Sequence, residues 1–278
     1  MATETIVFVH GSGDSGAVWE PLIALLPEVH AVALDLPGHG ALTEQPGPAE
    51  PSVADYVAFV RREMERLGAD KPTLVGHSLG GAIALRLALD APELVGRLAL
   101  VGSGARLRVA PAFLEAARTA DPAGMLAITR MAFAEQHAAE ADRFHAQRAG
   151  AAPGALYRDL TACNQFDVMG EAARITQPTL LVVGEGDRMT PPKYSEYLAA
   201  QLPNATLAII PDAGHYAQIE QPQRVADALR AWLGRGWLRV DEGNGRVNPQ
   251  AKGLRPRSPP PRAGNRIPVC GDNRLPLP

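Results

Sequence analysis

Aromatic residues make up only 5% of this 278-residue chain, and cysteine occurs twice, at Cys163 and Cys270. Two cysteines cannot build a disulfide framework or a four-thiolate zinc site. Neither sign of charge dominates: 27 Lys+Arg stand against 30 Asp+Glu, so no global field draws the chain to nucleic acid. No apolar run approaches the ~18 residues of a membrane-spanning helix. The opening MATETIVFVHG lacks a basic stretch with a cleavage site and enters a strand pattern at once. These absences point to a globular protein expected in the cytoplasm, with no membrane or nucleic-acid partner. No pair of histidines has ligand spacing with nearby acids, so neither a metal nor another cofactor is expected.

What is present changes character at Gly236. Of the 43 residues from Gly236 to Pro278, 8 are Pro and 6 are Gly, and 8 basic residues face 3 acidic ones. A run such as LRPRSPPPRAGNR has too little apolar surface to offset the entropy of ordering it, so residues 236–278 are expected to be a disordered or non-native tail. Before that point, short apolar runs alternate with helical patterns. Strands are expected at 5–9, 30–35, 73–77, 97–102, 179–184 and 206–211, and helices at 17–26, 52–67, 79–90, 191–201 and 221–233. Near-continuous apolar strands between helices predict an α/β fold with a mostly parallel six-stranded sheet covered on both faces. The ~75 residues between Val101 and Thr179 break the rhythm and are too long for a structureless loop. Three helical stretches within them (111–120, 123–136 and 154–166) predict an inserted helical cap. The core is then 1–104 and 173–235, and the cap 105–172.

The first strand ends in Gly11-Ser12-Gly13-Asp14-Ser15-Gly16, a G-x-G-x-x-G match, and Asp35 stands where a ribose-binding acid would be. Read alone, this suggests a nicotinamide-dependent oxidoreductase. The competing reading is a pair of tight turns in which Asp35 accepts local backbone hydrogen bonds and glycines take positive φ.

Residues 73–89 carry stronger chemistry. An apolar strand runs into Gly76-His77-Ser78-Leu79-Gly80 and then a helix, the strand–turn–helix setting of a nucleophile elbow. Small residues at 76, 80 and 81 leave room for a sharp turn that lifts the Ser78 hydroxyl above the sheet. A serine needs a base, and the base an orienting acid. Strand 179–184 leads into Glu185-Gly186-Asp187, and the last strand leads into Asp212-Ala213-Gly214-His215. Both loops leave C-terminal strand ends, where sites of open α/β sheets lie. The order Ser78, Asp187, His215 follows; Glu185 stands too close to the sheet, and Asp212 only three residues before the histidine.

Residues 5–235 resemble the α/β-hydrolase superfamily through HGSG (10–13), DLPGHG (35–40), GHSLGG (76–81), GEGD (184–187) and GH (214–215). The resemblance implies Ser78 as nucleophile, His215 as general base and acid, Asp187 as its partner, and an oxyanion hole from the Ser12 and Leu79 backbone N–H groups. It turns the apparent dinucleotide fingerprint into an oxyanion turn. One departure is expected: the family's N-terminal antiparallel strand pair is missing, because the chain starts at the oxyanion strand. The implied activity is that of a carboxylesterase on small to medium acyl esters, with small-molecule esters as the partner. A lactone, enol-lactone or C–C bond hydrolase on the same triad, and a non-catalytic ligand receptor of the same fold, are the alternatives. Of the other histidines, His10 and His39 are expected to bond backbone, His77 to pack, and His137 and His145 to be solvated. Cys163 is expected to pack as a small apolar group. Met125, Met131, Phe133, Phe166 and Met169 are expected chiefly in the cap core, a few of them lining an acyl pocket.

Overall fold

The computed structural model describes residues 4–45, 47–147, 152 and 154–235. The expected tail at 236–278 lies outside the described residues. Six strands, β1 (Thr5–Val9), β2 (His30–Leu34), β3 (Thr73–His77), β4 (Arg97–Val101), β5 (Thr179–Gly184) and β6 (Ala205–Ile210), form one sheet in the order β2-β1-β3-β4-β5-β6. Each strand lies within one residue of its expected place. Every pairing is parallel. The expectation of a mostly parallel sheet is thus met by a wholly parallel one.

Alternation along the strands separates two cores. Val7, Val9, Leu74, Leu98, Leu100 and Leu181 face one, while Ile6, Phe8, Val75, Ala99, Val101 and Val182 face the other. Helices α1 (Glu20–Ile23), α2 (Val53–Arg66) and α3 (Leu79–Asp90) follow the first three strands. The expected helix at 17–26 is shorter than its pattern: a 3₁₀ turn at Gly16–Trp19 leads into α1, with Pro21 in its first turn. Ser52 and Asp55 form a reciprocal capping box at the start of α2. Between β4 and β5 lie α4 (Pro111–Thr119), α5 (Pro122–Ala132), α6 (Ala138–Gln147) and α7 (Ala155–Gln165). Helix α6 has no counterpart in the sequence reading, because its face is largely polar and only Ala141 is buried. After β5 come α8 (Pro192–Gln201), α9 (Ala217–Glu220) and α10 (Pro222–Arg235), Pro222 separating the last two. Among the described residues no helix is long and apolar enough to cross a membrane.

Candidate active site

Ser78 is the link between β3 and α3. Its backbone stands at φ 51°, ψ −110°, a conformation costly for any residue with a Cβ. The surroundings fix it there. The Ser78 N–H donates to Val101 O at 3.0 Å, and the Ser103 hydroxyl donates to Ser78 O at 2.9 Å. Two glycines are required by contact. A Cβ on Gly76 would lie 2.2 Å from Gly80 O, and one on Gly80 2.2 Å from Val9 O. With the Ser78 amide taken, the Leu79 N–H is the first of α3 and has no intrahelical acceptor. The Leu79 side chain is fully buried in the core.

The loop after β5 places Asp187 in the interior, whereas Glu185 and Asp212 are exposed. Asp187 Oδ1 accepts the Met189 and Thr190 amides, both at 2.8 Å. Its Oδ2 accepts the Thr190 hydroxyl at 2.8 Å and faces His215 Nδ1 at 2.9 Å. A carboxylate only accepts, so the Nδ1 of His215 carries a proton directed at Asp187. The His215 N–H donates to Ala132 O at 2.7 Å, which ties the histidine loop to the end of α5. On the next residue back, the Gly214 N–H donates to Glu220 Oε1 at 2.9 Å, and Glu220 Oε2 accepts the Ala134 N–H at 2.8 Å. Burial pushes the Glu220 pKa up against these bonds.

Ser12, Ser78 and His215 line one cavity of about 340 Å³. Its remaining walls are mostly apolar, with Phe113 from α4, Ile128 and Met131 from α5, and Leu160 from α7. That size lies in the range of small-molecule sites. Leu79 reaches the cavity with no side chain, so the role expected of it belongs to its amide alone.

The remaining expectations are met for Asp35, His10 and His77 and refined for the others. Asp35 is a local acceptor, taking the Gly16 and Ala41 amides at 2.7 and 2.8 Å. His10 bonds backbone through both nitrogens: Nδ1 donates to Gly11 O at 2.8 Å, and Nε2 accepts from Leu36 N–H at 3.0 Å. Full burial, helped by nearby His39, holds its pKa down at about 4. His77 packs between His215 and Tyr216, with ring centroids 4.7 and 4.8 Å away. His137 and His145 are not simply solvated. His137 bonds Glu140 and Asp212 O, and His145 bonds the Thr129 hydroxyl. Met131 is partly exposed and lines the cavity, as expected of a few of the cap residues. Cys163 also lines the cavity, its Sγ 3.5 Å from Ser12 Oγ, and burial pushes its thiol pKa up to about 12.

Sequence reasoning missed Thr190, Ser103 and Glu220, which hold the site loops in place. A threonine three residues after the acid was the one available signal; Ser103 and Glu220 show no spacing that marks them.

Comparison with known proteins agrees with the fold. A family model described as alpha/beta hydrolase fold matches residues 4–222. The pimeloyl-[acyl-carrier protein] methyl ester esterase of Neisseria meningitidis is 32% identical over 251 residues, covering 84% of this chain and 94% of the esterase. The solved structure of a thermophilic esterase is 31% identical and superposes with a TM-score of 0.69, over 83% of this chain and 89% of the other. The structure of Est816, an N-acyl homoserine lactone degrading enzyme, is 25% identical with a TM-score of 0.72, over 83% and 93% of the two chains.

Proposed function

Since the chain belongs to the alpha/beta hydrolase fold family, we propose that it is a serine carboxylesterase acting on small to medium acyl esters. Ser78 is the nucleophile, His215 the general base and acid, and Asp187 the group that orients His215. The observation that carries this reading is the 2.9 Å contact between Asp187 Oδ2 and His215 Nδ1, beside the cavity that Ser78 and His215 both line. It gives His215 the tautomer a base needs.

In this mechanism the Ser78 Oγ attacks the ester carbonyl carbon while His215 Nε2 takes the hydroxyl proton. The carbonyl oxygen becomes an oxyanion, held by the Ser12 and Leu79 amides. On collapse the C–O bond to the alcohol breaks, and His215 returns its proton to the leaving oxygen. Water, deprotonated by His215, then attacks the acyl-Ser78 ester, and the acid departs as Ser78 recovers its proton. The apolar walls from α4, α5 and α7 favour a hydrocarbon acyl group, so residues 105–172 serve as a cap that selects it. No cofactor enters these steps.

The test is hydrolysis of p-nitrophenyl esters of graded acyl length, with an N-acyl homoserine lactone as the cyclic-ester arm. Wild-type protein is expected to turn over the linear esters and to be labelled by a fluorophosphonate. Ser78→Ala should lose both, with kcat down by about 10⁶ and an unchanged Tm. Preference for the lactone by kcat/KM would move the reading to a lactonase. Turnover that survives Ser78→Ala would refute both.

A further inference from the structure

Outside the triad, one cluster of buried ionisable groups has no part in the mechanism above. Asp159, on α7, is fully buried. Its Oδ2 accepts the Gly13 N–H at 2.7 Å, and its Oδ1 accepts the Tyr56 hydroxyl at 2.5 Å. The Nε2 of His39, also fully buried, lies 3.0 Å from Oδ2. We propose that Asp159 is the positioning residue of the oxyanion turn: by holding the Gly13 N–H from α7, it aims the neighbouring Ser12 N–H into the cavity. This inference rests on the serine-hydrolase reading.

The turn is anchored from outside, and besides α7 the Tyr216 hydroxyl donates to Asp14 Oδ2 at 3.0 Å. Residues Gly11–Asp14 form a β-turn with Gly13 at φ 68°, and its closing bond, Asp14 N–H to Gly11 O, is long at 3.3 Å. Helix α7 supplies two contacts from one face, four residues apart: Asp159 takes the Gly13 amide, and Cys163 meets the Ser12 hydroxyl. The Gly13 N–H is thereby committed to a carboxylate.

Stability alone gives a poor account of a charge in this place. Apolar residues of similar volume often replace a buried ion pair with no loss of stability. A carboxylate with three partners instead fixes direction, and those partners come from three segments far apart in the chain. Burial pushes the Asp159 pKa up, but His39, Tyr56 and the Gly13 amide outweigh it and hold the group below its ordinary value. The His39 pKa is raised despite its burial, because Asp159 faces it. Asp159 is not among the residues lining the cavity, so it acts on substrate only through the turn.

The test compares wild type with Asp159→Leu in the full chain, reading kcat, KM, Tm and the affinity of phenylboronic acid, a tetrahedral mimic. Leu keeps the volume and offers the Gly13 amide no acceptor, whereas an Asn oxygen would still take that N–H. The expected result is kcat lower by about 10²-fold, KM within about threefold, and boronate affinity falling in step with kcat. A purely structural role would lower Tm and leave kcat of the folded fraction and boronate affinity within about twofold, which would overturn the proposal. If Asp159→Leu yields no folded protein, Tyr56→Phe decides, since it deletes one donor to the same carboxylate. A kcat lower by roughly three- to tenfold, with parallel boronate loss, supports the proposal, and wild-type kcat overturns it. A wild type that neither hydrolyses esters nor binds the boronate removes the serine-hydrolase reading and this one together. An active wild type matched by an equally active Asp159→Leu removes only this one.

Discussion

Replacing Asp187 by asparagine changes one atom, and the surrounding donors decide which way the new amide faces. Two backbone N–H groups, from Met189 and Thr190, converge on Oδ1 at 2.8 Å. An amide nitrogen there would meet two donors, so the Asn oxygen takes that position and its NH₂ takes the place of Oδ2. That NH₂ then points at His215 Nδ1, which the carboxylate meets at 2.9 Å. To accept it, the imidazole must carry its proton on Nε2, the atom that should receive the Ser78 proton. The Thr190 hydroxyl, 3.1 Å from Nδ1, loses its acceptor at Oδ2 and can turn its O–H to the same ring nitrogen, which favours the same tautomer.

The loss is therefore that of a wrong tautomer, about 10⁴ in kcat or roughly 5 kcal/mol of barrier. KM should stay near wild type, because neither Asp187 oxygen is called on to touch substrate. Tm should move little, since the Asn oxygen keeps both backbone amides. The assay is p-nitrophenyl butyrate hydrolysis, paired with ¹⁵N spectra of the His215 ring. Asp187→Asn with kcat within tenfold of wild type, or with the proton still on Nδ1, would refute the reasoning.

Gly80→Ala should cost about 4 kcal/mol or more, because its Cβ would meet the backbone oxygens of Val9 and His10 at 2.2 and 2.8 Å. Gly170→Ala, with nothing within 4 Å, should stay within about 0.5 kcal/mol, so equal Tm values for the two would refute the steric account. Acid should destabilise the fold through His10. Its folded pKa is lowered from 6.5 to about 4, so the unfolded chain binds the extra proton between those values and stability falls as pH drops through that window. The drop amounts to about 3 kcal/mol and is read by urea unfolding at pH 7 and pH 4; a flat profile would refute it. His39 has the opposite sign. Its raised pKa gives stability that is full below its ordinary 6.5 and lost as pH rises through the folded value, so His39→Gln should flatten the alkaline limb of Tm.

All six strands could be located from sequence because each is an apolar run bounded by turn residues; the four inner strands are buried on both faces, and the half-buried edge strands β2 and β6 keep the same apolar run. The loops of the candidate triad were legible for a related reason: Ser78, Asp187 and His215 each follow a strand end. Helix α6 was not legible. Only Ala141 on it is buried, so the segment carries no stripe, and its order comes from contacts such as the Arg130–Asp142 and Phe133–Phe144 pairs. The carboxylates behind the site were hidden for a different reason. Asp159 lies in a helical stretch, LYRDLTA, where a charge reads as solvated, and only the fold brings it to Gly13, 146 residues away. Glu220 gives no more signal, since the amides it accepts come from Gly214 in its own loop and from Ala134, 86 residues upstream.

Those hidden contacts divide the segment between β4 and β5 into two kinds of surface. One kind is bonded to the site loops. Ala132 O accepts the His215 N–H, Phe133 O accepts the Arg188 guanidinium, and the Ala134 N–H reaches Glu220, which also holds Gly214. Asp159 does the same for the turn at Gly13. The other kind only lines the cavity: Phe113 and Ile128 meet it through side chains. Backbone bonds from 132–134 are independent of side-chain identity, so α4 and the cavity face of α5 can change shape without moving the loops that carry Asp187 and His215. Gly214 marks the boundary between the two, because a Cβ there would stand 2.5 Å from Ala134 N. On the serine-hydrolase reading, substrate choice is thereby separable from the chemistry: it resides in side chains carried by a segment whose backbone is pinned to the loops of the candidate triad.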